Sequence, residues 1–237
     1  MPAPHLDALR RHPHLGQPLR KGWVRVDMHS HTMWSGDSTT TLAEIADSVV
    51  ASGIDVLCVT DHNSIGGAAR LADDLPCRVV VGEELKTHAG EIIGLFLSER
   101  IPTGIAPETA AQAIREQGGI VYIPHPFDPM RRNLAEPAMR SLVDAGLVDA
   151  IEVLNAKTSL PSLNAKAAAF AKEHDLAGGA GSDAHVPFAL GAAYVEMPDF
   201  SGPDDFVAKL RQAQPVGHHW DEARPWSARV VPGMTDY

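Results

Sequence analysis

Short apolar runs alternate with amphipathic stripes along most of the chain. The first run, residues 23–28, has the length of a strand. Leu42, Ile45, Ala46, Val49 and Val50 then recur at helical spacing. Thr41 precedes that stripe and Glu44 stands three residues on, the pattern of a capping box. Gly53 is placed to end the helix. Residues 54–60 form the next apolar run. The alternation predicts helices over 68–75, 107–117, 134–145, 163–174 and 204–212. It predicts strands over 78–81, 91–97, 120–123, 148–154, 176–182 and 192–197. Strands alternating with helices indicate an α/β protein with a mainly parallel sheet.

The polar residues that close the apolar runs narrow the architecture. His29 and His31 follow the first run, His62 the second, Glu84 the third. His125 sits between prolines after 120–123, and Asp183 and His185 follow 176–182. An open doubly wound sheet offers its crevice at one switch point. A barrel gathers every strand C-terminus around one rim, so ligands from both ends of the chain meet there. The distribution favours a closed or nearly closed barrel.

Composition sets outer bounds. The chain has 237 residues, within the range of single-domain β/α barrels. Residues 1–20 read as a polar, proline-containing arm, and 21–237 as one barrel domain. Net charge is -10 with no basic block, which argues against strong nonspecific nucleic-acid binding. Cys58 and Cys77 lie in or beside apolar runs and suggest buried thiols, not a disulfide framework. The first twenty residues contain no signal-like apolar stretch, and no window approaches about 18 apolar residues. A cytoplasmic location without a membrane span is the expectation.

Side chains two residues apart on an extended segment point the same way. His29 and His31 can therefore reach one cation, and Asp183 and His185 repeat the spacing. Asp27, two residues further back, binds directly or accepts an imidazole N–H. His29, His31, Asp37, His62, Glu84, His125, Asp183 and His185 are the candidate ligands, with Asn155 a weaker ninth through its amide oxygen. One zinc-like ion takes about four ligands. Such a set suits two or three divalent ions, with Glu84 or Asp183 bridging. Mixed imidazole and carboxylate donors suit Zn, Mn or Fe. Glu84 is assigned to the cluster and Glu83 to the opposite face, a choice that a one-residue register slip reverses.

These residues carry a resemblance to the PHP (polymerase and histidinol phosphatase) family of metal-dependent phosphoesterases. The matching blocks are Asp27-Met28-His29-Ser30-His31-Thr32, Ser35-Gly36-Asp37, Thr60-Asp61-His62-Asn63, Gly82-Glu83-Glu84, Gly118-Gly119 with His125-Pro126, and Ser182-Asp183-Ala184-His185. They span roughly residues 23–197. The resemblance implies a distorted (β/α)7 barrel, TIM-barrel-like, with up to three metals at the C-terminal rim of the strands. It places His29, His31, Glu84 and Asp183 on a first metal. Glu84, His125 and Asn155 would hold a second, and Asp37, His62 and His185 a third. The segment between Glu84 and His125 is too short for the helical insertion of some nucleotide-cleaving relatives.

The implied function is hydrolysis of a phosphate ester, of a small nucleotide or other small phosphorylated metabolite, by metal-activated hydroxide. A short oligonucleotide end is a further substrate class. His62 and His185 are candidates for proton transfer where not committed to metal. Arg131 and Arg132 are candidates for a phosphate clamp, followed by Lys157, His88 and Trp34. His218, His219 and Trp220 read as a packing cluster. Two alternatives stand beside this reading. One is an amidohydrolase-like enzyme acting on a C–N or lactone bond. The other is a noncatalytic metal-binding module.

Overall fold

The structure, a computed structural model, describes residues 6–220. Among them nine strands form one sheet, in the order β7-β6-β5-β4-β3-β2-β1-β8-β9. The strands are β1 (Trp23–Ser30), β2 (Val56–Val59), β3 (Arg78–Thr87), β4 (Gly90–Leu95), β5 (Ile120–Ile123), β6 (Ala150–Asn155), β7 (Ala177–Gly181), β8 (Ala193–Pro198) and β9 (Gln214–Gly217). The helices are α1 (Leu6–Arg11), α2 (Leu42–Ser52), α3 (Gly66–Leu71), α4 (Pro107–Glu116), α5 (Glu136–Asp144), α6 (Pro161–Glu173) and α7 (Pro203–Leu210).

Each of β1 to β7 sends at least one side chain to a common apolar core. Val26, Met28, Cys58, Val80, Ile93, Tyr122, Ala150 and Ala180 represent all seven. Phe200, Phe206 and Leu210, from α7 and the turn before it, join the same core. The sheet therefore curls around one interior. It is closed by β1, whose two halves have different neighbours. Trp23 to Val26 pair with β8, antiparallel. Beyond them, the Asp183 amide donates to the His29 carbonyl at 2.8 Å and the His31 amide to the Ala184 carbonyl at 3.0 Å. The segment after β7 thus sutures to the end of β1 and completes the barrel.

Closure demands small residues at the seam. A side chain at Gly181 would place its Cβ 2.4 Å from His29 Cβ, and one at Gly179 would meet the Tyr122 ring at 2.7 Å. The run Ala177-Gly178-Gly179-Ala180-Gly181 is the sequence trace of that close approach.

The helices form for local reasons. Thr41 caps α2, accepting the Glu44 amide, while Glu44 Oε2 accepts the Thr41 amide at 2.9 Å. Such a cap contributes about 1 kcal/mol. Gly53 ends the helix in the left-handed region, φ 67°. Ile45 and Val49 bury its apolar stripe, and Val49→Asp would break that packing. Pro107, Pro137 and Pro161 stand in the first turns of α4, α5 and α6, where a missing N–H costs nothing.

The observed sheet departs from simple alternation in one region. β3 runs to Thr87 and returns as β4, so β3–β4 and β4–β5 are antiparallel. Parallel pairing of β3 with β2 ends at Val81, which leaves Glu84 just beyond it, at the rim. Within the polar arm, α1 and a 3-10 turn over Pro13–Gly16 pack inward, with His12 and Leu15 buried. β9 was not among the predicted strands. No helix among the described residues is long and apolar enough to cross a membrane.

Candidate metal centre

The side chains that follow the parallel strands converge. His29 Nε2 lies 3.0 Å from His31 Nε2, and each lies 3.3 Å from Glu84 Oε2. Asp183 Oδ1 is 3.5 Å from His31 Nε2 and 3.9 Å from His29 Nε2. Donors about 2.0–2.1 Å from a tetrahedral ion are separated by roughly 3.3 Å. Five of the six separations among these four donors are thus near the edges of a cation's coordination shell. His125 Nε2 stands 2.8 Å from the other Glu84 oxygen. Asp37 Oδ2 is 3.5 Å from His62 Nε2 and 3.3 Å from His185 Nε2.

The rings are held from behind. Asp61 accepts the Ser35 hydroxyl, so Ser35 Oγ accepts from His31 Nδ1 at 2.7 Å. His185 Nδ1 donates to the Asp183 carbonyl at 2.8 Å. His29 Nδ1 donates to Glu152 Oε1 at 3.2 Å. With a cation bound, Nδ1 of each ring would keep the proton and Nε2 would present its lone pair to the cluster. The donor set fits divalent cations. The buried His62 Nδ1 and Glu91 Oε1 have no hydrogen-bond partner, although they face each other at 3.7 Å. The groups His29–His31–Glu84, His29–His125–Asp183, His31–His62–His185 and His62–Glu84–Glu91 can each hold a metal ion.

The electrostatics match that reading. Burial opposes ionisation of Glu84, yet His29, His62 and His125 hold its carboxyl well below the usual range. Burial likewise opposes Asp183, and Arg131, His29 and His185 overcome it. Burial acts against charge on His62, but Glu84 and then Asp37 raise it to about 9. Burial and the neighbouring His185 push His31 well below its ordinary value, so it stays neutral.

The expected residues are placed as follows. His29, His31, His62, Glu84, His125, Asp183 and His185 come together, with Asp37 at the more exposed edge. Arg131, Arg132 and Lys86 line the adjoining cavity of about 340 Å³. Arg131 reaches Asp183 Oδ2 at 3.3 Å and donates to the Lys157 carbonyl at 2.8 Å. Lys157 Nζ is 3.5 Å from His185 Nδ1. Asn155 is at the wall, but its Nδ2 donates to Glu152 at 2.9 Å and Asp183 at 3.3 Å, while its oxygen accepts the Lys157 amide at 2.7 Å. Turning the amide over would set oxygen against two carboxylates, so the network fixes its orientation.

Glu83 faces away, accepting the Ile101 amide at 2.9 Å. Asp27 shares the strand with the histidines but not their cluster. The β1–β2 register shifts between Asp27 and Ser30, and its carboxylate accepts the Ser182 amide at 2.9 Å and the His29 amide at 3.3 Å. His88 is exposed on the β3–β4 turn, and the Arg70 guanidinium lies 5.9 Å from the Trp34 ring. His218 and Trp220 pack on His12, away from the cavity.

Sequence reasoning missed Glu91 and Glu152. Glu91 Oε2 is 3.9 Å from His125 Nε2, and burial with the Glu84 charge raises its carboxyl to about 7. Glu152 is fully buried beneath His29 and His125. The available signal was a carboxylate inside an otherwise apolar strand, in Glu91-Ile92-Ile93 and Ile151-Glu152-Val153. An unpaired charge there is costly.

Known proteins share this fold. The PHP domain model matches residues 27–114, and the PHP-associated model matches 161–215. An uncharacterized protein of Methanocaldococcus jannaschii is 34% identical over 197 residues, covering 79% of this chain and 79% of that protein. Among solved structures, the chain resembles a two-domain protein from Bacteroides vulgatus containing a predicted PHP-like metal-dependent phosphoesterase. Its TM-score is 0.66 at 19% identity, over 85% of this chain and 67% of that one. PsfC from Pseudomonas syringae has a TM-score of 0.65 at 21% identity, over 83% and 92% of the two chains. With its ligand clusters at the strand ends of a distorted barrel, the chain belongs to the PHP domain family.

Proposed function

We propose that the protein is a divalent-metal-dependent phosphoesterase acting on small phosphorylated molecules, nucleotides included. One observation carries this reading. A carboxylate–imidazole cluster with cation-like donor spacings opens onto a small cavity that also holds Arg131 and Arg132. His29, His31, Glu84 and Asp183 would hold one cation, with Glu84 shared by a second on His125 and Glu91. Asp37, His62 and His185 would hold a third. Mn, Zn and Fe suit these donors. Such cations lower the pKa of water and offset charge on phosphoryl oxygens.

The protein groups do the remaining work. Asp183 keeps Arg131 charged and aims it, leaving guanidinium donors for a phosphoryl oxygen. Arg132 adds a second cation at the cavity wall. Asn155 acts by orienting Asp183 rather than by ligation, since its oxygen is spent on the Lys157 amide. His62 and His185 would serve as ligands of the third cation; in a two-cation enzyme His62, which Glu84 and Asp37 keep protonated, would hold the proton for the leaving oxygen.

The test is hydrolysis of nucleotides, dinucleotides, sugar phosphates and histidinol phosphate by Mn-, Zn- or Fe-loaded protein, with ester cleavage followed by chromatography. Turnover lost in His29→Ala and Asp183→Ala supports the reading. No cleavage of any ester by fully loaded protein overturns it.

A further inference from the structure

Glu152 lies beneath the cluster and is among none of the candidate ligands. Its carboxylate is fully buried. Oε1 accepts from His29 Nδ1 at 3.2 Å. Oε2 accepts the His125 amide at 2.6 Å and Asn155 Nδ2 at 2.9 Å. One side chain on β6 therefore grips β1, the segment after β5, and its own strand end. Of the other two backed rings, His31 rests on the Ser35 hydroxyl and His185 Nδ1 on Asp183, at 2.8 Å from its carbonyl and 3.2 Å from its carboxylate. His29 alone of the three rests on a carboxylate outside the candidate ligands.

The second grip matters because of backbone shape. His125 has φ 28°, a left-handed conformation that costs a non-glycine residue about 1–3 kcal/mol. Its amide, in that conformation, points at Glu152 Oε2. The seam leaves no slack either, since a Cβ at Gly181 would stand 3.0 Å from Glu152 Oε1.

We propose that Glu152 is the positioning residue that joins the His29 and His125 metal sites into one unit. It presets the His29 ring with Nε2 toward Glu84, and it holds His125 in the backbone conformation that brings Nε2 to the same carboxylate. Altering Glu152 then weakens both sites at once. This rests on the metal-centre reading but not on the identity of the substrate.

Glutamine at this position keeps one acceptor oxygen where Glu152 uses two, and loses the charge. An oxygen held at 2.6 Å by the His125 amide is 3.4 Å from His29 Nδ1, so it backs that ring less well. Glu152→Gln is therefore compared with wild type by metal content after dialysis and by calorimetric titration with Mn²⁺ and Zn²⁺. Titrations are run at a temperature where metal-free wild type and variant are both folded by circular dichroism. The expected result is a loss of about 10–100-fold in affinity, the range for partners behind a ligand. It falls on the His29 and His125 sites together, while the site of Asp37, His62 and His185 keeps its affinity. Ser35→Ala, which removes the acceptor of His31 Nδ1 and of the His62 amide but touches neither His29 nor His125, should leave the His125 site as in wild type. Should Glu152→Gln not fold, Glu152→Asp keeps the charge but withdraws it by one carbon, and the same paired loss is expected. Unchanged affinity at either of the two sites overturns the proposal. Wild type that binds metal normally yet cleaves no phosphate ester overturns the assigned reaction and leaves Glu152 in its role.

Discussion

Five histidines converge at the barrel rim, and three others gather where the N-terminal arm meets β9. At the rim, His29, His31, His62, His125 and His185 face Glu84, Asp183 and Asp37. At the arm, His12 Nε2 donates to the Phe188 carbonyl at 3.0 Å and His14 Nε2 to the Gly191 carbonyl at 2.9 Å. His12 Nδ1 meets His218 Nε2 at 2.8 Å, and Trp220 packs against His12. The arm rings spend nitrogens on one another and on backbone, whereas at the rim His29, His31 and His185 are held through Nδ1 and every ring turns a nitrogen to the cluster. Burial pushes His12 down to about 4, while carboxylates raise His62 to about 9 against the same burial. Clustering alone does not make a metal site. What stands behind and opposite each ring decides it.

The sharpest way to break this contrast is Glu84→Ala beside His12→Ala. Glu84 touches His29, His31, His62 and His125. Its loss should lower bound metal and turnover by more than the ~100-fold that a supporting partner costs. His12→Ala should retain both. Elemental analysis and ester cleavage decide the matter, and a metal-replete Glu84→Ala protein would end the reading.

Chelation comes next. Removing bound cations should lower the unfolding free energy by about 2.7 kcal/mol at ligand 100-fold above Kd. Wild type and His12→Ala should fall equally in thermal melts, and Glu84→Ala by much less. A smaller fall in His12→Ala than in wild type would make the arm cluster a metal site too.

His12→Ala should itself cost about 1–3 kcal/mol, because it strips a buried ring from its hydrogen bonds. The lowered pKa sets the sign of its pH dependence. The stability His12 contributes is whole above about 6.5 and is lost as pH falls through about 4. Denaturation curves of wild type and variant should therefore converge between those values. A gap that widens on acidification would contradict a neutral, buried His12.

The smallest effect separates two neighbouring carboxylates. Burial raises Glu83 to about 7. The stability linked to its neutral form is whole below about 4.5 and lost as pH rises through about 7. Glu83→Gln should flatten the stability profile across that window without changing metal content. An altered metal content would place Glu83 in the centre after all.

Much of this was legible before folding. Period-two pairs such as His29/His31 and Asp183/His185, each behind an apolar run, announce ligands at strand ends because side-chain direction follows from local geometry. The capping box at Thr41 and Glu44 is legible for the same reason. Glu91 and Glu152 were not, because each sits within a strand and its role depends on antiparallel β4 and on parallel β6. Asp27 misled in the opposite way. Its spacing matches the histidines, but a register shift turns it to the Ser182 and His29 amides.

The sequence by itself determined the alternation of elements, the barrel class, and the residue types available for metal chemistry, since these depend on neighbours a few positions apart. Only the tertiary structure decided which donors share a centre. That choice rests on the suture between residues 29–31 and 183–184, on Gly181 admitting His29, and on the facing of the Asn155 amide. Each joins segments far apart in the chain, and ligand distances of a few ångströms are set by how those segments close.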